Sequence, residues 1–226
     1  MPGSKAGWST LALFAWVSPA FPVGAYTYSH GLETAVDEGL VEGLVGLQAW
    51  LTDLIDHGAI RNDAILVAAT WRAGRDKDVA AFTEANDLAL ALCPSRERRL
   101  EAVGQGNAFA TAIRAAWPDA AFAWPEGDLA YPAAFGSACA VAEIDLQSSL
   151  EAFGLAFIQN LVSAAIRLGV VGQTDGQRVT AGLVPQVHRL AAMSAGSALD
   201  DLGGCAQRSD IMALRHETLY SRLFRS

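Results

Sequence analysis

Apolar residues recur along the chain at the three- and four-residue spacing of amphipathic helices. The clearest stripe lies between Gly43 and Gly58 and has five members: Leu44, Leu47, Leu51, Leu54 and Ile55. No run of alternating β-branched or aromatic residues is bounded by hairpin-turn signals, so the pattern does not predict strands. We therefore expect an all-α fold.

Helix-capping residues and a proline divide the middle of the chain into further predicted helices. Asp63, ahead of an apolar run, is interpreted as an N-cap. Another helix is predicted over 76–92, ending before Pro94 because the residue that precedes a proline avoids the helical conformation. Ser95 is interpreted as the N-cap of the next helix, which continues to Ile113.

Two apolar stretches are long enough to be considered as a membrane span or a secretory signal as well as a helix of a soluble domain. The stretch 150–171 is interrupted by polar and charged residues, which favours a buried core helix over a membrane span. The spacing within 8–17 predicts a short amphipathic helix. A secretory signal is the alternative there, because Lys5 precedes the stretch and the small residues of 18–20 follow it.

Segments rich in proline, glycine and polar residues are predicted to be loops. They cover 117–132 and 172–177, and residues 195–204 are expected to be flexible. Because both sides of 117–132 are helical and apolar, we interpret this segment as a loop within one domain. The chain 1–226 is therefore predicted to be a single compact helical bundle of about eight to ten helices, with 208–226 as a C-terminal tail.

The composition excludes several classes of function. Hydrophobic residues make up 52% of the chain and charged residues 18%, as expected for a packed globule. A net charge of −8 opposes binding to nucleic acids and to anionic membranes. The three cysteines form no C-x-x-C pair, which fits a reducing cytoplasm, and the four histidines are scattered, so the sequence predicts no local metal site.

The sequence lacks the motifs of the common kinds of enzyme chemistry. The sequence contains no phosphate-binding P-loop, no H-E-x-x-H zinc motif and no G-x-S-x-G nucleophile elbow. The pairs Asp37-Glu38 and Asp200-Asp201 are adjacent in sequence and would point in different directions on a helix, as solvated residues do. We expect neither catalytic residues nor a bound cofactor.

Two segments stand apart from the helical pattern. Segment 18–33 places prolines and a glycine in a turn ahead of a helix predicted to carry Tyr26, Tyr28 and His30. A helix N-terminus that needs this geometry is the simpler explanation. Segment 96–101 is rich in arginine and glutamate, and a solvated helix face with charge pairs would account for it.

The tail 208–226 is the third such segment. It carries four arginines against two acidic residues, although the whole chain is acidic. Tyr220, Arg222, Phe224 and Arg225 belong to residue types that are enriched at binding hot spots. A basic tail on an acidic body predicts a binding partner, with docking of the tail on its own chain as the alternative.

Together these segments resemble the UreF family of urease accessory proteins, and the resemblance extends from about Leu11 to Ser226. The order and spacing of four matching stretches carry it: 21–33, 95–106, 172–177 and 215–226. The chain departs from the family pattern at Ala25, where a second glycine or serine is frequent, and at Pro94.

The resemblance implies an all-helical protein without catalytic activity, which dimerises and joins UreD (or UreH) to the nickel-carrying GTPase UreG for delivery of nickel to apo-urease. The first helix and the tail are expected to meet UreD, and ordering of the tail is expected to help create the surface that receives UreG. Phe153 and Phe157 are expected at the dimer interface. The residues expected to bind partners lie in three of the matching stretches: Pro22, Gly24, Tyr26, Tyr28, Gly31, Glu33, Arg96, Glu97, Arg215, His216, Glu217, Tyr220, Ser221, Arg222, Leu223, Phe224, Arg225 and Ser226.

Two other functions remain open from the sequence. In the first, Arg222 or Arg225 is supplied in trans to the nucleotide of the GTPase and activates hydrolysis. In the second, the chain is a metallochaperone that binds nickel directly through His30, His216 or a cysteine, although the spacing of these residues argues against it.

Overall fold

The structure, a computed structural model, describes residues 6–226, and within that range the chain forms α-helices and no strands. The expected all-α fold is confirmed. In chain order the helices are α1 (Ala6–Trp16), α2 (Leu32–Asp37), α3 (Gly43–Asp56), α4 (Ala59–Asp76), α5 (Val79–Ala91), α6 (Arg96–Ala116), α7 (Tyr131–Val141), α8 (Leu146–Arg167), α9 (Gln173–Gly196) and α10 (Gln207–His216). Short 3₁₀ turns occur at Ala25–Thr27, Pro118–Ala120 and Leu199–Asp201.

Helices α4 and α7 pack most extensively and form the centre of the fold. α7 is buried along nearly its whole length because its residues are small or apolar. The backbones approach closely at Gly136, where an added Cβ would lie 2.4 Å from the carbonyl oxygen of Val67 in α4. Around this pair, α6 packs on α7, α9 packs on α8 and α3, and α10 packs on α2.

An aromatic cluster around Phe109 of α6 fixes the segment that follows α1. The ring of Phe109 lies 5.9 Å from Trp16 and 5.4 Å from Phe21, measured between centroids. On its other side it lies 5.7 Å from Tyr131 and 5.8 Å from Phe135 of α7. Buried aromatic pairs at these separations stabilise a core beyond the area that they bury. The turn that carries Tyr26 therefore starts from a fixed position against α6.

Several predicted helix ends are confirmed. The side chain of Ser95 accepts a hydrogen bond from the N–H of Arg98 at 3.2 Å, as expected of an N-cap. α5 ends at Ala91, ahead of Pro94. The predicted core helix is α8, which is long and apolar enough to cross a membrane, although half of its apolar window is buried inside the fold.

Other predicted boundaries are wrong. Asp63 lies inside α4 rather than capping it, because α3 and α4 are separated only by the turn at 57–58. The helix predicted from residue 76 begins at Val79, since the side chain of Asp78 accepts a hydrogen bond from the N–H of Ala81 and caps it there. Residues 173–177 are helical, because Gly172 stands at the N-cap position and α9 begins directly after it.

The segment 195–204, expected to be flexible, is attached to α4. Its first two residues continue α9. The side-chain amide of Asn62 donates a hydrogen bond to the carbonyl oxygen of Gly204 at 2.8 Å. The guanidinium of Arg72 donates to the carbonyl oxygens of Ala195 and Ser197. These contacts fix the chain direction into α10 and so position the tail.

Candidate functional site

The three segments singled out in the sequence come together at one place. The part of the tail that follows α10, residues 217–226, runs back across α2 and the N-terminal half of α6. Three carboxylates receive it, Glu33 of α2 and Glu97 and Glu101 of α6, and we refer to them as the tail-binding glutamates. In the structure the tail is therefore docked on its own chain, which was the alternative prediction from the sequence.

Glu33 makes the densest contacts with the tail. Its side chain is buried in the first turn of α2. One carboxylate oxygen accepts a hydrogen bond from the N–H of Leu223 at 2.6 Å, and the other accepts from the N–H of Phe224 at 3.0 Å. The second oxygen also lies 3.0 Å from Nε2 of His216. A buried carboxylate is tolerated only when donors surround it, and here the tail supplies them.

His216 is the last residue of α10 and is fully buried between two carboxylates. Its Nδ1 lies 2.6 Å from one oxygen of Glu97, and its Nε2 faces Glu33. The other oxygen of Glu97 accepts from the guanidinium of Arg222 at 2.6 Å. Next to His216, the carboxylate of Glu217 accepts from the N–H of Arg96 at 2.8 Å, at the positive N-terminal end of α6.

Glu101 binds the end of the tail. It accepts a hydrogen bond from the hydroxyl of Ser226 at 2.7 Å and from the guanidinium of Arg98, and Nε2 of His30 lies 2.7 Å away. Burial opposes ionisation of Glu101, but the charge of Arg98 and the contact with His30 outweigh it and lower the pKa to about 2. Burial, with the charge of Arg98, lowers the pKa of His30 below its usual value.

Backbone hydrogen bonds join the last residues of the tail to the segment before α2. The N–H of Arg225 donates to the carbonyl oxygen of Thr27, and the N–H of Ser29 donates to the carbonyl oxygen of Ser226, both at 2.8 Å. From α8, the guanidinium of Arg167 lies 4.3 Å from the centroid of the Phe224 ring, in cation–π geometry. The tail is thus held by α2, α6, α8 and the 3₁₀ turn.

The residues expected to bind partners differ in how far they are exposed to solvent. Gly31, Glu33, His216, Phe224 and Ser226 are buried in the contact between the tail and its own chain. Gly24, Tyr28 and Glu97 are half-buried. The others face solvent: Pro22, Tyr26, Arg96, Arg215, Glu217, Tyr220, Ser221, Arg222, Leu223 and Arg225. Tyr26, Tyr28 and His30 precede α2 rather than standing on it, because Gly31, in the left-handed conformation, starts that helix.

The two phenylalanines expected at a dimer interface have different surroundings. Phe153 is 3% exposed, and its ring packs against Tyr131 and Phe135 at centroid distances of 5.7 and 5.5 Å. It faces the core of its own chain. Phe157 is half-buried, with its ring centroid 4.4 Å from that of His30. The contact with a second copy stays a prediction.

Sequence reasoning missed Glu101 and Arg167, which contact the tail, and Arg98, which pairs with Glu101. The charged run 96–101 was explained as a solvated helix face, yet Arg98 and Glu101 are largely buried. A signal was present, because Arg98, Glu101, Gln105 and the core residue Phe109 follow one another at helical spacing and share a face of α6. No sequence signal links Arg167 to the tail.

A cavity of about 180 Å³ adjoins this contact and has His30, Asp63, Cys93 and Glu101 in its lining. Burial raises the pKa of Asp63 to about 7 and that of the Cys93 thiol to about 11. Nδ1 of His30 has no hydrogen-bond partner. Within the described residues, no three His, Cys, Asp or Glu side chains are grouped in a way that could hold a metal ion.

Comparison with known proteins gives the family. The model of the UreF family matches residues 41–184. The urease accessory protein UreF of Methylobacterium radiotolerans is 51% identical over 230 residues, which cover 100% of both chains. The chain belongs to the UreF family. The UreF proteins of Xanthobacter autotrophicus (51% identity, covering 96% of this chain and 91% of the relative) and Azorhizobium caulinodans (49%, covering 96% of each) are also similar. The resemblance seen in the sequence is confirmed.

Proposed function

We propose that this protein acts in urease maturation as a non-catalytic scaffold that joins UreD (or UreH) to the GTPase UreG, so that nickel is delivered to apo-urease. Relatives of about 50% identity carry the name urease accessory protein UreF. The observation that supports the scaffold role best is the docked tail, whose inner side chains bind its own chain while its outer ones face solvent.

The outer face of the tail has the character of a binding surface. Tyr220 is fully exposed, and Leu223 is 61% exposed. Arg222 and Arg225 flank Leu223, and Tyr and Arg are enriched among residues that dominate binding energies. Because the backbone of the tail is already held by Glu33 and Thr27, a partner would not have to order it, and this lowers the entropic cost of binding.

The charge distribution favours a partner with an acidic contact surface. The tail is basic, whereas the rest of the chain is strongly acidic. Arg222 is partly neutralised by Glu97 and Arg215 by Glu38, but the guanidinium of Arg225 faces solvent. Complementary charges accelerate encounter and fix orientation more than they add affinity. A basic outer face would thus orient the docking partner on the tail.

Helix α1 offers a second surface, and we assign it to UreD together with the tail. Trp8, Leu11 and Phe14 recur at three-residue spacing on α1 and are 68%, 68% and 63% exposed. Contiguous apolar patches on a protein surface mark sites of protein–protein or membrane contact. Dimerisation through the region of Phe157 and a cytoplasmic location complete the proposal.

Activation of the GTPase is the second candidate function. It is favoured by Arg225, whose backbone N–H is bound to Thr27 while its side chain is exposed. An arginine inserted in trans stabilises the charge of a phosphoryl-transfer transition state. If the protein activates the GTPase, Arg225→Ala removes stimulation of GTP hydrolysis and leaves the complex intact. If it is only a scaffold, Arg225→Ala abolishes both stimulation and complex formation, or neither.

Reconstitution with purified UreD and UreG tests the scaffold role. We expect the double variant Tyr220→Ala, Leu223→Ala to keep its thermal stability and to lose co-purification with the partners. Val45→Ala is the matched control, because Val45 is 78% exposed on α3 and is not part of the tail. Normal assembly by the double variant, or by a chain truncated before Asp210, would rule out the tail as the docking surface.

A further inference from the structure

The contact that holds the tail contains a buried histidine with carboxylates on both sides. His216 has no exposed surface, and Nδ1 and Nε2 lie 2.6 Å and 3.0 Å from oxygens of Glu97 and Glu33. A neutral imidazole has one N–H donor and one nitrogen lone pair. If the ring were neutral, that lone pair would face a carboxylate oxygen at hydrogen-bond distance.

The other contacts of the two carboxylates require them to act as acceptors. Both oxygens of Glu33 accept backbone N–H groups, from Leu223 and Phe224. Glu97 accepts from the guanidinium of Arg222. Neither carboxylate therefore needs a proton of its own, and the ring of His216 supplies both remaining hydrogen bonds only in its doubly protonated, charged form.

We propose that docking of the tail binds one proton on His216, so that the tail is released from its own chain as pH rises. The inference goes beyond the scaffold role, since it concerns the chain alone and holds whichever partner the tail meets. A histidine that changes charge near neutral pH is the usual basis of such switches. Here the element that changes state is the tail from residue 217 onward.

The charges around His216 come from three elements. Glu33 faces the ring from α2, Glu97 faces it from α6, and Arg222 of the tail pairs with Glu97. On α10 itself, Arg215 is directed outward to Glu38. Two carboxylates are thus balanced by Arg222 and the charged ring. Loss of the ring proton leaves an unbalanced negative charge in a buried site, where charge is costly.

His30, in the same site, provides an internal contrast. It is also buried, but Arg98 already supplies the positive charge beside Glu101. Burial and that charge lower the pKa of His30, and its Nδ1 has no partner, as expected for a neutral ring. Two buried histidines that contact neighbouring glutamates of α6 are therefore in opposite protonation states.

The sign of the pH effect follows from this assignment. Docking places the ring of His216 between two carboxylates that favour its charged form, and release removes both of them. Docking therefore weakens as pH rises. One proton per docking event changes the docking equilibrium constant by at most about tenfold per pH unit.

The test uses spin labels at Tyr220→Cys on the tail and Val45→Cys on α3, in a Cys205→Ser background. The distance distribution measures the docked fraction between about pH 6 and pH 9. We expect the docked fraction to fall with pH in the native chain and to be low and independent of pH in His216→Gln. His188→Gln is the matched control, because His188 also pairs with a glutamate, Glu151 at 2.7 Å, but is exposed. It should keep the native pH dependence.

Nitrogen-15 NMR of the histidine rings keeps the proposal testable if His216→Gln fails to fold. In the native chain with the tail docked, the two ring nitrogens of His216 should both show the shifts of a charged ring, and those of His30 the shifts of a neutral one. A neutral ring at His216 while the tail is docked, or a docked fraction that does not change with pH, would overturn the proposal.

Discussion

A carboxylate oxygen of Glu33 lies 3.0 Å from Nε2 of His216, although 183 positions separate the two residues in the chain. The contact joins the start of α2 to the end of α10 and sets where the tail begins its return. Because Glu33 also accepts the N–H groups of Leu223 and Phe224, one side chain contacts both the start of the returning segment and residues near its end. The exposed face proposed to bind partners depends on this buried carboxylate.

Substitution of Glu33 tests that dependence. In Glu33→Gln the amide cannot replace a charged acceptor for three donors, and His216 loses one of its two carboxylates. Breaking a buried ion pair on one side costs about 3–5 kcal/mol, and we expect a loss of this order in the free energy of unfolding. Chemical denaturation followed by circular dichroism measures it.

The matched control is Glu38→Gln. Glu38 pairs with Arg215, which is 57% exposed, and surface ion pairs contribute about 0–1 kcal/mol. The two variants remove the same charge from the same region. Equal losses in both would argue against a special role for Glu33.

Gly31 permits the close approach of α10. It has a φ of 75°, and an added Cβ would lie 2.7 Å from the backbone nitrogen of Ala213. Gly31→Ala thus combines a left-handed conformation, which costs about 1–2 kcal/mol for other residues, with a contact that forces α10 to move. Gly24→Ala is the control, since Gly24 has a φ of 72° and open space around it. We expect a clearly larger fall in Tm for Gly31→Ala, and similar falls would show that the contact with α10 is unimportant.

Local patterns were sufficient to predict the fold class and many helix boundaries. The N-cap at Ser95 and the end of α5 before Pro94 depend on residues adjacent in sequence, so the sequence predicts them. Asp63 was misjudged because its type suits an N-cap, while the position of α4 is decided by the turn at 57–58. Tertiary packing overrode the local preference there.

The site was only half predictable. Sequence patterns selected the tail, the segment before α2 and the arginine-rich start of α6, but they could not indicate that the three meet. Whether Glu33 or His216 faces a partner or its own chain depends on the path of the chain after α10. That path is set by long-range contacts such as that of Asn62 with Gly204, which leave no pattern in either local segment.

The buried carboxyl of Asp63 is expected to lower stability as pH rises. Burial raises its pKa from 3.8 to about 7, so the folded state binds a proton more tightly than the unfolded state does. Stability is then lost between these values as pH increases. Asp63→Asn removes the ionisation, and we expect it to be more stable than the native chain at pH 8 by about 1–3 kcal/mol and nearly equal below pH 4. Thermal unfolding across this range checks it, and a native advantage at pH 8 would contradict it.

Glu101 should have the opposite pH dependence. Its pKa is lowered to about 2 because Arg98 and His30 outweigh the effect of burial, so its contribution is present above the usual value of 4.5 and is lost as pH falls toward 2. Glu101→Gln leaves Arg98 buried without its partner, and we expect a loss of about 3–5 kcal/mol at neutral pH. In acid titrations followed by circular dichroism, the difference from the native chain should shrink as pH falls. A difference that stays constant down to about pH 2 would refute this assignment.

The central claim is that the tail is docked on its own chain in the absence of partners, and amide hydrogen exchange of the isolated protein tests it most directly. The N–H groups of Leu223, Phe224 and Arg225 are hydrogen-bonded, whereas those of Tyr220 and Ser221 have no partner among the described contacts. We predict exchange slowed by on the order of a hundredfold or more in the first group, which corresponds to a docking free energy of about 3 kcal/mol, and rapid exchange in the second. Equally rapid exchange in both groups would contradict the account.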